Sequence, residues 1–388
     1  MGAQVESIGN GSAKLDYLRG LQSAKRIVVK VGTSTLTHNT GKLNFNRMEL
    51  LVRQISDLHN QGREVVLVTS GAVGVGLGRL GLRERPGTIL QRQALAAVGQ
   101  GLLMQVYEKL FSEYGQTVAQ ILLTRSDISD RKRYLNARNT IMALLKYQVI
   151  PIINENDTVA TEELKIGEND ALSALVAGLI EADLLILLSD VDGLYTADPK
   201  RDPNAELIPF VKEITPEITS MAGGAGSAFG TGGMVTKLEA AKMATAAGSS
   251  MVLMNGSEPS QIQQIFNGKP IGTVFLSSQT VVSSRKRWIA YGPQVAGELI
   301  VDSGAERALI KQGKSLLPSG IVGLSGDFEE GDLVKIINSE QRELGRGLTN
   351  YGREQLQKII GKRCAEIEMI LGFKTADEVI HRDNLVIT

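Results

Sequence analysis

DALSALVAGLIEADLLILLSD, residues 170–190, holds both halves of a repeating unit. Its first part, DALSALVAGLIEA, has the length and apolar spacing of a helix. Its second part, LLILLSD, is a short unbroken apolar run that ends in polar residues. Such a run is buried on both faces, as strands of a parallel sheet are. The unit recurs on both sides. Upstream, RIVVKVG (26–32) reads as a buried strand closing at Gly32. NRMELLVRQISDLHNQG (46–62) places Met48, Leu51, Val52, Ile55 and Leu58 on one helical face, with Gly62 at its end. REVVLVTSGA (63–72) is a second buried strand. A helical region near 88–114, a strand near 117–123 and the helix NARNTIMALLKYQ follow, and the last leads to the strand VIPIINEND (149–157). Downstream, GTGGMVTKLEAAKMATAAG (230–248) leads to SSMVLMN (249–255). The alternation predicts an α/β protein: a three-layer α/β/α sandwich with a mainly parallel sheet. Such sheets bind ligands beyond the carboxyl ends of their strands.

The alternation stops near residue 276. Short strand-like pieces follow, GELIVD (297–302), GIVGLSG (320–326) and DLVKIIN (332–338), punctuated by glycine and proline. The expected organisation is a disordered leader or expression remnant over 1–25, an α/β domain over 26–278, a linker over 279–293 and a small β-rich domain over 294–388. With 388 residues and 43% hydrophobic content, two cores are within reach. The formal net charge is zero, which argues against a nucleic-acid binder driven by bulk charge. One cysteine, Cys364, excludes an internal disulfide framework and fits a reducing cytoplasm. No apolar run reaches the roughly 18 residues needed to span a bilayer, so no membrane role is expected.

The strand ends carry the chemistry. GTSTLT follows the first strand, SGAVGVG the second, SDVDGLYTADP the run at 184–188, and GTGG opens the helix before 249–255. Backbone N–H groups in such turns cradle anions. Two lysines stand beside them. Lys30 interrupts an apolar strand, which is costly without an anionic partner. Lys237 sits in a first helical turn, where the macrodipole disfavours a cation. A Walker A loop is absent: the only GK[ST] is Gly313-Lys314-Ser315, and Ala308 stands where the motif needs glycine. Gly76, Gly78 and Gly81 spell G-x-G-x-x-G, but well past the end of their strand, so they do not mark a dinucleotide turn. Several glycine turns and two lysines fit phosphoryl transfer, where positioning and electrostatics dominate.

Between 151 and 176 lie Asn154, Glu155, Asn156, Asp157, Glu168, Asn169 and Asp170. Asn169 or Asp170 suits a helix cap. The density exceeds what capping needs, and suits either Mg²⁺ or a ligand with an ammonium and a carboxylate. No histidine or cysteine accompanies it. A hydroxyl acceptor usually wants a base, whereas a carboxylate acceptor is already ionised near neutral pH. The missing base leans toward a carboxylate, although Asp170 is itself a possible base.

The blocks VVKVGTSTLT, VTSGAV, INENDTVAT, IGENDALSALVA, LLSDVDGLYTADP and GTGGMVTKLEAA together resemble the amino-acid kinases, in the family's order. More narrowly they resemble the branch that phosphorylates the side-chain carboxylate of L-glutamate. RKRWI and the β-rich tail are similar to the PUA module. The resemblance implies ATP and L-glutamate as substrates, Mg²⁺ as cofactor, L-glutamyl 5-phosphate as product, a place at the start of proline synthesis, a cytoplasmic homo-oligomer (dimer or tetramer) and inhibition by proline. It implies Lys30, Lys237 and Asp170 as catalytic, with Asp170 organising the two lysines. ATP would meet Lys30, Gly32, Thr33, Ser189, Asp190, Thr231, Gly232, Gly233, Met234, Val235, Thr236 and Lys237. Glutamate would meet Ser70, Gly71, Asn154, Asp157, Glu168 and Asn169. Where the resemblance implies an aspartate, this chain has Glu168. No residue is implied as a direct metal ligand. Among sister kinases, an acetylglutamate enzyme needs fewer acids near Asp157, and a uridylate enzyme needs a second phosphate site. RNA binding by the tail is not expected: residues 294–388 hold 12 lysines and arginines against 15 aspartates and glutamates, without the basic footprint of an RNA binder.

Overall fold

The structure is a computed structural model. It describes residues 18–38, 40–82, 87–160, 169–199, 201–222, 233–269, 271–277, 289 and 295–387. The chain divides into two compact units, residues 1–281 and 282–388.

The first unit is built on a sheet of strand order β3-β4-β2-β1-β5-β7-β8-β6. Its members are β1 (Arg26–Val31), β2 (Glu64–Val68), β3 (Val118–Leu123), β4 (Ile150–Glu155), β5 (Leu184–Ser189), β6 (Phe210–Val211), β7 (Ser250–Asn255) and β8 (Thr273–Phe275). Strands β1 to β5 and β7 pair in parallel. Only the β7–β8 contact is antiparallel among the described pairs of this sheet, with β6 running parallel to β8. β1 is central: Lys30 pairs with Val68 of β2 and Leu187 of β5. Side chains alternate across a strand. Ile27, Val29 and Val31 therefore enter one core with Met48, Leu51 and Ile55 of a helix at Phe45–Asn60 and with Leu103 and Tyr107 of a helix at Ile89–Ser112. Lys30 faces the other side, where helices at Asn169–Leu179 and Met234–Ala246 pack against each other and the sheet.

In chain order the helices used below are α1 (Thr33–Leu36), α2 (Phe45–Asn60), α3 (Ala72–Arg79), α4 (Ile89–Ser112), α5 (Asn169–Leu179) and α6 (Met234–Ala246). The first two glycines of the misleading G-x-G-x-x-G serve packing. Gly76 and Gly78 lie inside α3. A Cβ on Gly76 would stand 2.0 Å from the Leu95 carbonyl oxygen of α4, and one on Gly99 of α4 would stand 1.8 Å from the Ala72 oxygen. Two backbones touch where any side chain would part them. Gly99→Ala is expected to destabilise the fold by at least about 1–3 kcal/mol, read as a lower urea midpoint. An unchanged midpoint would mean that α3 and α4 separate freely.

The second unit holds a five-stranded sheet of order β10-β9-β11-β12-β13. These strands are β9 (Gly297–Val301), β10 (Ile321–Gly326), β11 (Leu333–Ile337), β12 (Glu343–Leu348) and β13 (Leu385–Ile387). β9 and β11 run parallel and the other pairs antiparallel. Its own core gathers Leu299, Val301, Val334, Ile336, Leu344, Tyr351 and Leu356.

Candidate active site

Because β1, β2, β4, β5 and β7 are parallel, their carboxyl ends share one edge of the sheet. Gly32, Ser70, Asn156, Asp190 and Gly256 all follow strands at that edge. The turns are tied together. Ser70 Oγ donates to the Val31 carbonyl at 3.0 Å, and Thr33 Oγ1 approaches Ser70 Oγ at 3.4 Å. Gly71 has φ +94°, a left-handed conformation that favours glycine, and a Cβ there would press on Thr33 at 3.3 Å. Gly256, absent from the sequence expectations, donates its N–H to the Ser189 carbonyl at 2.7 Å, and a Cβ on it would strike Thr35 Oγ1 at 2.5 Å.

On the face opposite α2 and α4, three charged side chains converge. Asp170, the second residue of α5, is 2% exposed. Lys30 Nζ lies 2.5 Å from its Oδ1, and Lys237 Nζ 3.4 Å from its Oδ2. Thr236 Oγ1 lies 3.5 Å from the same Oδ2. Burial alone would push the Asp170 carboxyl up. The charges of Lys30 and Lys237, with their hydrogen bonds, outweigh it and hold the carboxyl below its ordinary value. Among the described residues, one carboxylate stands against two ammonium groups, a surplus of positive charge. The start of α6 adds to it: its N-cap, Gly233, makes no side-chain cap hydrogen bond, and no acidic residue occupies its first turn.

A chain of amides lies at the same edge. Asn169, the first residue of α5, donates from Nδ2 to the Thr69 carbonyl at 2.5 Å and to Asn154 Oδ1 at 2.9 Å. Asn154, 2% exposed, also accepts from the Glu155 N–H at 2.9 Å and donates from Nδ2 to Gln100 Oε1 at 2.8 Å. Thr69 Oγ1 meets the Tyr107 hydroxyl at 3.0 Å, where burial pushes the phenol up. Neither Asn169 nor Asp170 is the helix cap that their position suggested. Both are helical residues whose side chains serve the sheet edge.

Most of the expected residues thus gather at one edge. Asp157 is half-buried in the turn after β4, Ser189 is buried and Asp190 exposed at the end of β5, and Met234 and Val235 open α6. Thr231, Gly232 and Glu168 lie outside the described residues. Gln100 was missed by sequence reasoning. Its one signal is a neutral polar residue beside Gly99 in an apolar helix.

Comparison with known proteins places the chain in a family. The amino acid kinase family matches residues 25–255, and the PUA domain family matches residues 297–371. The glutamate 5-kinase of Moorella thermoacetica is 56% identical over 367 residues, covering 95% of this chain and 97% of its own. That of Caldanaerobacter subterraneus subsp. tengcongensis is 57% identical over 362 residues, covering 93% and 97%. Among solved structures, carbamate kinase from Giardia lamblia bound to AMP-PNP aligns with 66% of this chain at 18% identity and a TM-score of 0.49, too distant to decide an acceptor.

Proposed function

The chain belongs to the amino acid kinase family, and within it to the glutamate 5-kinases; from that premise we propose that it transfers the γ-phosphoryl group of ATP to the side-chain carboxylate of L-glutamate. The product, L-glutamyl 5-phosphate, would enter proline synthesis. The observation that carries the reading is the Lys30–Asp170–Lys237 cluster, buried beside the start of α6.

The cluster's surplus charge suits the equatorial oxygens of a transferring phosphoryl group. Buried cations act there in a low dielectric and need little reorganisation. Asp170 holds the two ammonium groups to either side of one carboxylate, which fixes their spacing. It serves as an orienter rather than a base: lysines occupy both its oxygens, and the acceptor carboxylate has no proton to lose. Backbone N–H groups at Gly32, at the start of α1 and at the start of α6 would receive the nucleotide's phosphates. Among the described residues no group of three or more His, Cys, Asp or Glu side chains could hold a metal ion. Mg²⁺ accompanying ATP would be held chiefly by the phosphates and water, as is common for this ion.

On the acceptor side, Asp157, Glu168 and Asn169 would read the α-ammonium and Ser70 with Gly71 the carboxylate end. Proline shares the α-carboxylate and a cationic amine with glutamate, so the same pocket would admit both. Asp157→Asn is expected to weaken glutamate and proline together by about 1.5–3 kcal/mol, or roughly one to two decades. The measurement is the glutamate KM at several proline concentrations, for wild type and variant. Proline inhibition that glutamate cannot overcome would refute the shared pocket. The activity itself is tested by ADP release with L-glutamate, acetylglutamate and UMP offered in parallel. Turnover with glutamate alone is expected, and preference for either rival would reassign the acceptor.

A further inference from the structure

We propose that Gln100 is a positioning residue of the acceptor site, holding Asn154 in place and through it Asn169, whose Oδ1 is left for the substrate. The inference rests on the acceptor reading above and names a residue outside it.

An amide side chain has a donor end and an acceptor end, and its orientation follows from its fixed neighbours. Two backbone groups fix this network. The Thr69 carbonyl can only accept, so Asn169 must turn Nδ2 toward it. The Glu155 N–H can only donate, so Asn154 must turn Oδ1 toward it. The two assignments agree, because Asn169 Nδ2 then also donates to Asn154 Oδ1. Both amide hydrogens of Asn169 are thereby committed. The atom it can offer a ligand is Oδ1, an acceptor, which suits an ammonium group. Asn154 Nδ2 is left facing α4, where it needs an acceptor within the buried interior, and Gln100 Oε1 supplies it at 2.8 Å.

Gln100 keeps this role against its own interest. It is 9% exposed, and its Nε2 is buried with no hydrogen-bond partner among the described residues. A buried donor without a partner is destabilising. A side chain placed for packing alone would be apolar there. Its neighbour Gly99 explains how it reaches the site: the contact of that glycine with the Ala72 carbonyl brings α4 against the start of α3, just behind Ser70 and Gly71.

The test compares Gln100→Met and Gln100→Glu with wild type in the full chain, by KM for each substrate, kcat and thermal midpoint. Methionine matches the length but offers Asn154 no oxygen. It is expected to raise the KM for glutamate about tenfold, the loss of one buried hydrogen bond, and to leave the KM for ATP within twofold. Glutamate at position 100 keeps an acceptor oxygen in either protonation state, so its KM for glutamate should lie nearer wild type than that of the methionine variant. An unchanged glutamate KM in Gln100→Met would make Gln100 a packing residue. A parallel rise of both KM values with a lowered midpoint would make its role structural, and a glutamate variant worse than methionine would make Nε2 the working atom. Each outcome overturns the proposal. Wild type that turns over a different acceptor would refute the function reading instead, and the same comparison would then be made with that acceptor.

Discussion

Replacing Lys237 by alanine is expected to lower kcat by about 10²–10³-fold, the usual loss when one preorganised group facing developing charge is removed. The side chain is 6% exposed and sits at the positive end of α6. Burial and the helix dipole both disfavour a cation there, so its retention needs negative charge. Asp170 supplies part of it at 3.4 Å. The phosphates of ATP would add to it. Stability should fall far less than activity, because Asp170 remains paired with Lys30 at 2.5 Å after the change. Steady-state ADP release and urea unfolding, measured on the same preparation, separate the two effects. A near-normal kcat in the alanine variant would reduce Lys237 to a packing residue of α6.

Asp170→Asn should differ from it, with stability and activity both lost. The substitution keeps the shape and removes the charge between Lys30 and Lys237, leaving two buried ammonium groups without their carboxylate. Breaking a buried pair in this way costs about 3–5 kcal/mol. The pH dependence carries a definite sign. The folded carboxyl lies below its ordinary value of 3.8. Its contribution is therefore fully present above that value and is lost as pH falls through the lower folded one. The stability gap between wild type and variant should be flat from neutral pH to about 4 and narrow only below it. ATP should raise the thermal midpoint of the variant more than that of wild type, since its phosphates replace the missing negative charge. A stable Asp170→Asn protein with an unchanged kcat would mean that the lysines do not depend on their shared partner.

The fold of the first unit was legible because its strands are buried on both faces. A strand such as LLILL in 184–188 has no polar side and admits few other readings. The shortest pieces were not legible. β6 and β8 have two and three residues, too few for any period, and only their pairing with each other and with β7 makes them strands. In the second unit β12 reads ELGRGL, which looks like a loop. Its glycines are there because neighbouring segments of the same chain lie close: a Cβ on Gly345 would stand 2.3 Å from the Val386 oxygen, and one on Gly347 would stand 2.5 Å from Ile380.

By itself the sequence determined the alternation of strands and helices, the glycine turns at strand ends and the two lysines that make no sense without an anion. Each is a local property: a period, a breaker, a charge in the wrong surroundings. What only the tertiary structure decided is which of these meet. Lys30, Asp170 and Lys237 come from three distant segments, brought together because parallel pairing puts the strand ends on one edge and because α5 and α6 pack over the same face as Lys30. The amide chain from Gln100 to Asn169 is of the same kind. A glutamine in a helix reads as surface until the neighbour that buries it is known, and a sequence period reports the face an element buries but not the partner that covers it.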